Sequence, residues 1–81
     1  MNINLRKSAV KDLEKVDKVF RQKILLSLQK LIEFPDVSNI KRLSNHESAY
    51  RYRVGDYRIL FDVSDEQLII ARVLHRKDAY K

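Results

Sequence analysis

Apolar positions in the first part of this chain recur at helical spacing, and in the second part they alternate with polar residues. Met1 to Leu5 sets Ile3 and Leu5 between asparagines and predicts a short opening strand. Ser8 is the expected N-cap of a first helix reaching about Asp17, with Val10, Leu13 and Val16 as its apolar stripe. A second helix is expected from Val19 to Glu33. Its apolar positions, Val19, Phe20, Ile24, Leu25, Leu28, Leu31 and Ile32, lie three or four residues apart and describe a wide buried face. Phe34-Pro35 should end it, because the residue before a proline is pushed out of the helical region. With no long connection between them, the two helices should form a hairpin.

Asp36 to Ser48 reads as a loop, anchored on the core by Ile40 and Leu43. Strands are then expected at about 50–54, 57–63 and 68–75. Gly55, the single glycine, opens a two-residue turn with Asp56. Glycine at the first turn position takes the positive φ of a type II′ hairpin. That register sets Val54 against Tyr57, Arg53 against Arg58, Tyr52 against Ile59 and Arg51 against Leu60. A four-residue polar turn, Ser64 to Gln67, should separate the last two strands, placing Val73 beside Arg58 and His75-Arg76 next to the Gly55 turn. The expected fold is therefore α+β, in the order β-α-α-β-β-β, with the helical pair on one face of a small antiparallel sheet in a single domain, residues 1–81.

Parity assigns the two faces of the hairpin. Tyr52, Val54, Tyr57, Ile59, Phe61 and Val63 form one apolar face, sufficient to cover the helix pair. Arg51, Arg53 and Arg58 then share the other face with Leu60 and Asp62. The last strand offers apolar residues to both faces: Ile69, Ala71 and Val73, or Leu68, Ile70 and Leu74. Arg53 and Arg58 face each other across the strands, a like-charge placement that normally destabilises a sheet. It calls for an anionic counterpart.

Composition narrows the chemistry. The 81 residues carry no cysteine, which excludes disulfides and thiolate metal sites. His46 and His75 are too few and too far apart for a usual zinc motif. No run approaches a membrane span and the N-terminus has no apolar signal region, so a soluble cytoplasmic protein is the expectation. Seventeen basic and eleven acidic residues give a net charge of +6. Of this, residues 1–34 carry +4, residues 35–66 −1 and residues 67–81 +3. A basic chain of this kind points to nucleic acid or to an acidic protein partner.

Arg51, Arg53, Arg58, His75, Arg76 and Tyr80 form the candidate site, on the open side of the sheet. Guanidinium forks suit phosphate oxygens and stay charged at any relevant pH. Several around one phosphate would stabilise the extra negative charge of a phosphoryl-transfer transition state. Proton transfer needs another residue type, and His75 and Tyr80 are the two candidates. The chain has no phosphate-binding glycine loop and no nucleophile elbow, so catalysis would rest on cations and one proton carrier, without metal or cofactor.

The run Y-R-Y-R-V-G-D-Y-R-I-L-F-D-V (Tyr50 to Val63), followed by I-I-A-R-V-L-H-R-K-D-A-Y (Ile69 to Tyr80), resembles the RelE/ParE superfamily of toxins from toxin–antitoxin pairs, closest to its RelE branch. The resemblance covers nearly the whole chain. It implies two helices packed on a small antiparallel sheet and, as activity, metal-free cleavage of messenger RNA in the ribosomal A site by the ribose 2′-hydroxyl. By position Arg58, Arg76 and Tyr80 match the family's site. Arg51 and Arg53 stand where the best-known branch has lysines; an arginine does not lose its proton, so these two should bind phosphate. Lys41, Arg42 and Lys77 complete the expected RNA-contacting set. The implied partners are the 70S-type ribosome with its messenger and a cognate, RelB-like antitoxin in a hetero-oligomer. The same superfamily holds ParE-type poisons of DNA gyrase, and a binding module without toxicity is a third possibility.

Overall fold

The computed structural model of the protein describes residues 1–79. Strand β1 (Asn2–Leu5) leads into helices α1 (Lys7–Glu14) and α2 (Lys18–Lys30), the latter ending in a 3-10 turn at Leu31–Glu33. Strands β2 (Ile40–Arg42), β3 (Tyr50–Val54), β4 (Tyr57–Ser64) and β5 (Gln67–His75) follow, and a single turn of helix, α3 (Arg76–Ala79), comes after them. The sheet has five strands in the order β1-β5-β4-β3-β2. β1 runs parallel to β5 and every other pairing is antiparallel. The α+β class and the helical hairpin are as expected. Among the described residues no helix is long and apolar enough to cross a membrane.

The helices meet each other at Arg21. Its guanidinium donates to the carbonyls of Leu13 (2.9 Å), Glu14 (3.2 Å) and Val16 (2.9 Å) at the end of α1. A cation there satisfies carbonyls that have no partner inside the helix and suits the negative end of its dipole. Beneath the pair, Leu13, Val16, Ile24, Leu28 and Leu31 pack against Tyr52, Ile59, Phe61, Leu68, Ile70 and Val73. Each fully buried side chain of this kind contributes about 2 kcal/mol. The Tyr52 hydroxyl donates to the Ser27 carbonyl at 3.1 Å, pinning α2 to β3, and burial raises the phenol's pKa. Phe34, held extended before Pro35 at φ −50° and ψ 134°, sets its ring edge-on to Tyr50 and Phe61.

Several local expectations are corrected. Ser8 does not cap α1; Arg6 takes the N-cap position, and the Ser8 hydroxyl donates instead to the Ala71 carbonyl at 2.6 Å. The supposed loop contains β2, which escapes notice because three residues, one apolar and two charged, are too short to show alternation. Asp65 and Glu66, at φ 49° and 63°, turn the chain in two residues rather than four, and Ser64 pairs with Gln67. Two positive φ values in succession are those of a type I′ hairpin. Of the wide face expected on α2, only Ile24 and Leu28 are buried, with Leu31 just beyond; Val19, Phe20, Leu25 and Ile32 are exposed, as is Leu26.

The largest correction is a β-bulge. Phe61 pairs with Ile70, but Leu60 pairs with Arg72, which leaves Ala71 over. One extra residue inverts the parity of everything after it. Leu68 and Ile70 are therefore buried before the bulge and Val73 after it, which accounts for the apolar residues on both faces of this strand. Arg58 consequently lies opposite Leu74 and not Val73.

Among the described residues no strand flanks the outer edge of β5 beyond Ile70, since the pairing with β1 ends at Leu5. Helix α1 covers that edge. The Asp12 carboxylate accepts the Val73 amide (2.9 Å) and both the Nε (2.8 Å) and Nη2 (3.1 Å) of Arg72. The bond to Asp12 raises the Arg72 pKa. An edge left unpaired is both costly and prone to association.

Two stability predictions follow from these contacts. Asp12→Ala leaves the Val73 amide and the Arg72 guanidinium without their acceptor and should cost about 2–3 kcal/mol, read as a lower midpoint in urea. Gly55 sits at φ +57° with open space where a Cβ would be. Gly55→Ala should therefore cost about 1–2 kcal/mol through backbone strain alone, with side-chain packing unchanged by near-UV circular dichroism.

Candidate nucleic-acid interface

Tyr52, Ile59 and Val73 lie under the helices, so the residues alternating with them face the other way. Two rungs on that open face carry most of the charge: Lys41, Arg51, Leu60 and Arg72 in one, Arg53, Arg58 and Leu74 in the other. The expected register of β3 with β4 holds at every pair, including Arg53 opposite Arg58.

The like-charge pair is accommodated by the turn beside it. Arg58 is 9% exposed, and its Nη1 donates to the carbonyls of Gly55 (3.0 Å) and Tyr57 (3.1 Å). Those carbonyl dipoles offset part of the repulsion and fix the guanidinium. Arg76 meets the same turn from α3. Its amide donates to the Asp56 carbonyl at 2.7 Å, and its Nε stands 3.9 Å from the Asp56 carboxylate, with both side chains 60% exposed. An ion pair this long and this wet adds little to stability, leaving the guanidinium accessible to an anion. Two arginines distant in sequence thus converge on the Gly55–Asp56 turn, one from inside the sheet and one from its end.

Other residues of the expected set are placed differently. His75 lies opposite Tyr57, with ring centroids 5.3 Å apart, so it stands on the helical side of the sheet and away from Arg53 and Arg58. The bulge at Ala71 is the reason: without the extra residue His75 would share the arginine face. Its Nδ1 accepts the Lys77 amide at 3.3 Å. Arg42 pairs with Tyr50 and reaches over that ring at 5.8 Å, a cation–π contact at the edge of the helical face. Lys77 is exposed on α3, and Lys41 is exposed beside Arg51. Tyr80 lies outside the described residues.

The helices were expected to meet an acidic antitoxin segment, but the groove beside α2 was not anticipated. Leu26 is 61% exposed and Phe20 46%, and the two edge a groove of about 360 Å³ between α2 and the β3–β4 turn. Ile24, Val54 and Tyr57 line it, and Lys23 and Lys30 stand among the apolar residues. The signal in the sequence was the excess of apolar positions on α2: more than one sheet face can cover.

Comparison with known proteins converges with this geometry. The family model of the ParE toxin of type II toxin–antitoxin systems, parDE, matches residues 3–80. Toxin RelE3 of Methanocaldococcus jannaschii is 34% identical over 84 residues, which span 99% of this chain and 96% of that protein. In structure the chain is similar to the RelB–RelE antitoxin–toxin complex from Methanococcus jannaschii, with a TM-score of 0.78 and 34% identity over 94% of this chain and 93% of that one. It is also similar to the RelBE2 toxin–antitoxin complex from Mycobacterium tuberculosis, with a TM-score of 0.77 and 28% identity over 93% and 96% of the two chains. The resemblance carried by the arginine hairpin and the terminal H-R-K-D-A-Y is borne out: the chain belongs to the RelE/ParE family of toxins from type II toxin–antitoxin systems.

Proposed function

We propose that this toxin is a ribosome-dependent endoribonuclease that cleaves messenger RNA in the A site and so arrests translation in the cytoplasm. The observation that carries the reading is the convergence of Arg58 and Arg76 on one turn, at the end of a sheet face that also bears Lys41, Arg51 and Arg53. In the proposed reaction the ribose 2′-oxygen bonds to the adjacent phosphorus and the bond to the 5′-oxygen breaks. The products are a 2′,3′-cyclic phosphate and a 5′-hydroxyl. The 2′-hydroxyl proton goes to a base, and a proton is delivered to the leaving 5′-oxygen.

Arg58 and Arg76 supply charge where it builds up, on the non-bridging phosphate oxygens. Arg58 comes pre-oriented by its two carbonyl partners, so little reorganisation is needed as the phosphorane forms. Arg51, Arg53 and Lys41 hold the flanking phosphates. Tyr80, four residues beyond Arg76, is the proposed proton carrier, and neighbouring cations would lower a phenol's ordinary pKa of about 10.

A gyrase-directed activity is the second reading, favoured by the ParE description of the matching family model. It needs no converging arginines, and it predicts growth arrest with intact messenger RNA.

The groove beside α2 fits the antitoxin. The two relatives of known structure compared above are complexes of a toxin with its antitoxin. An apolar strip edged by Lys23 and Lys30 suits an amphipathic segment bearing acidic residues, which orders as it binds.

Arg58→Ala and Arg76→Ala should each lower cleavage by programmed ribosomes about 10²–10³-fold, measured with end-labelled messenger. Thermal melting checks that Arg58→Ala, which also removes two bonds to the turn, is still folded. Phe20→Glu with Leu26→Glu should weaken antitoxin binding at least about tenfold, since two buried apolar contacts exceed 1.4 kcal/mol. Calorimetric titration reads the affinity, and cleavage by the free toxin should stay at the wild-type rate.

A further inference from the structure

We propose that His75 is a positioning residue: its imidazole caps the first turn of α3 and thereby sets the place of Arg76. The start of any helix leaves amide groups with no partner inside it. In α3 the first of these, on Arg76, donates to the Asp56 carbonyl at 2.7 Å. The second, on Lys77, donates to His75 Nδ1 at 3.3 Å. His75 immediately precedes the helix, so this is the bond that an N-cap side chain makes to the amide two residues on. Together the two bonds tie the start of α3 to the Gly55–Asp56 turn that also holds Arg58.

The same bond argues against a chemical role for the ring. A neutral imidazole has one acceptor nitrogen, and the bond from the Lys77 amide assigns that role to Nδ1. While the cap is formed, His75 has no lone pair to take a proton from a ribose hydroxyl. Its surroundings agree. The ring packs edge-on to Tyr57, on the side of the sheet away from Arg53 and Arg58. It lines a hollow of about 310 Å³ shared with Asp12 of α1 and with Val16 just beyond that helix. A general base must reach the proton it removes, and that hollow lies on the opposite side of the sheet from Arg53 and Arg58.

The consequence for cleavage rests on the nuclease reading above, whereas the cap does not. The test compares His75→Asn, which keeps a capping acceptor but cannot act as a base near neutral pH, with His75→Ala, which keeps neither. Amide hydrogen exchange at Lys77 and ribosome-dependent cleavage are measured on both variants and on the wild type. In His75→Ala, Lys77 should exchange about fivefold faster, the equilibrium factor that corresponds to a typical N-cap, and kcat should fall by a similar factor. His75→Asn should restore both. Loss of cleavage in His75→Asn as deep as in His75→Ala, with Lys77 still protected, would overturn the proposal in favour of a chemical role. Wild-type exchange at Lys77 in His75→Ala would overturn it outright. If the wild-type chain cleaves no messenger, the nuclease reading fails, and Lys77 exchange still decides the cap by itself.

Discussion

Three backbone carbonyls at the β3–β4 hairpin organise the arginine-bearing end of the sheet. Gly55 and Tyr57 accept from Arg58, and Asp56 accepts from the amide of Arg76. Gly55 makes the arrangement possible, because φ +57° turns the chain within two residues and aims these carbonyls outward. Without such acceptors, two directly opposed arginines would repel, and the face would gain nothing from their closeness. The turn converts a destabilising cross-strand pair into a fixed cationic surface.

The rest of the fold serves that end of the sheet. Strand β5 must reach the turn with a defined register, although β1 accompanies it only as far as Ile70. Asp12 takes over from there, bonding to the Val73 amide and to Arg72. One carboxylate of α1 therefore secures the strand from which α3 begins. Arg72, basic and close in sequence to the site, is committed to this clasp.

What the sequence disclosed and what it concealed separate along physical lines. The β3–β4 register was legible because one glycine and strict alternation leave a single way to pair Tyr52 with Ile59 and Arg53 with Arg58. The helical pair was legible from spacing, but the exposure of Val19, Phe20 and Leu26 was not. Periodicity shows which residues share a stripe, not how much of that stripe one sheet covers. The bulge at Ala71 was concealed because a single inserted residue leaves composition unchanged and alters only phase. Its effect falls on His75, which passes from the arginine face to the helical one. Strand β2 was missed for its brevity, and the clasp at Asp12 because sixty residues separate Asp12 from Arg72 in the chain.

A rigid cationic patch on one side and uncovered apolar helix on the other suit a protein that acts on a polyanion and is silenced by a folding partner. The central claim is that the patch turns an RNA phosphodiester over to attack by its own ribose. The most direct measurement is the chemistry of the fragment ends after the toxin meets programmed ribosomes carrying labelled messenger. The account predicts cuts within the A-site codon, leaving a 2′,3′-cyclic phosphate upstream and a 5′-hydroxyl downstream. Intact messenger, or fragments ending in a 3′-hydroxyl and a 5′-phosphate, would contradict it.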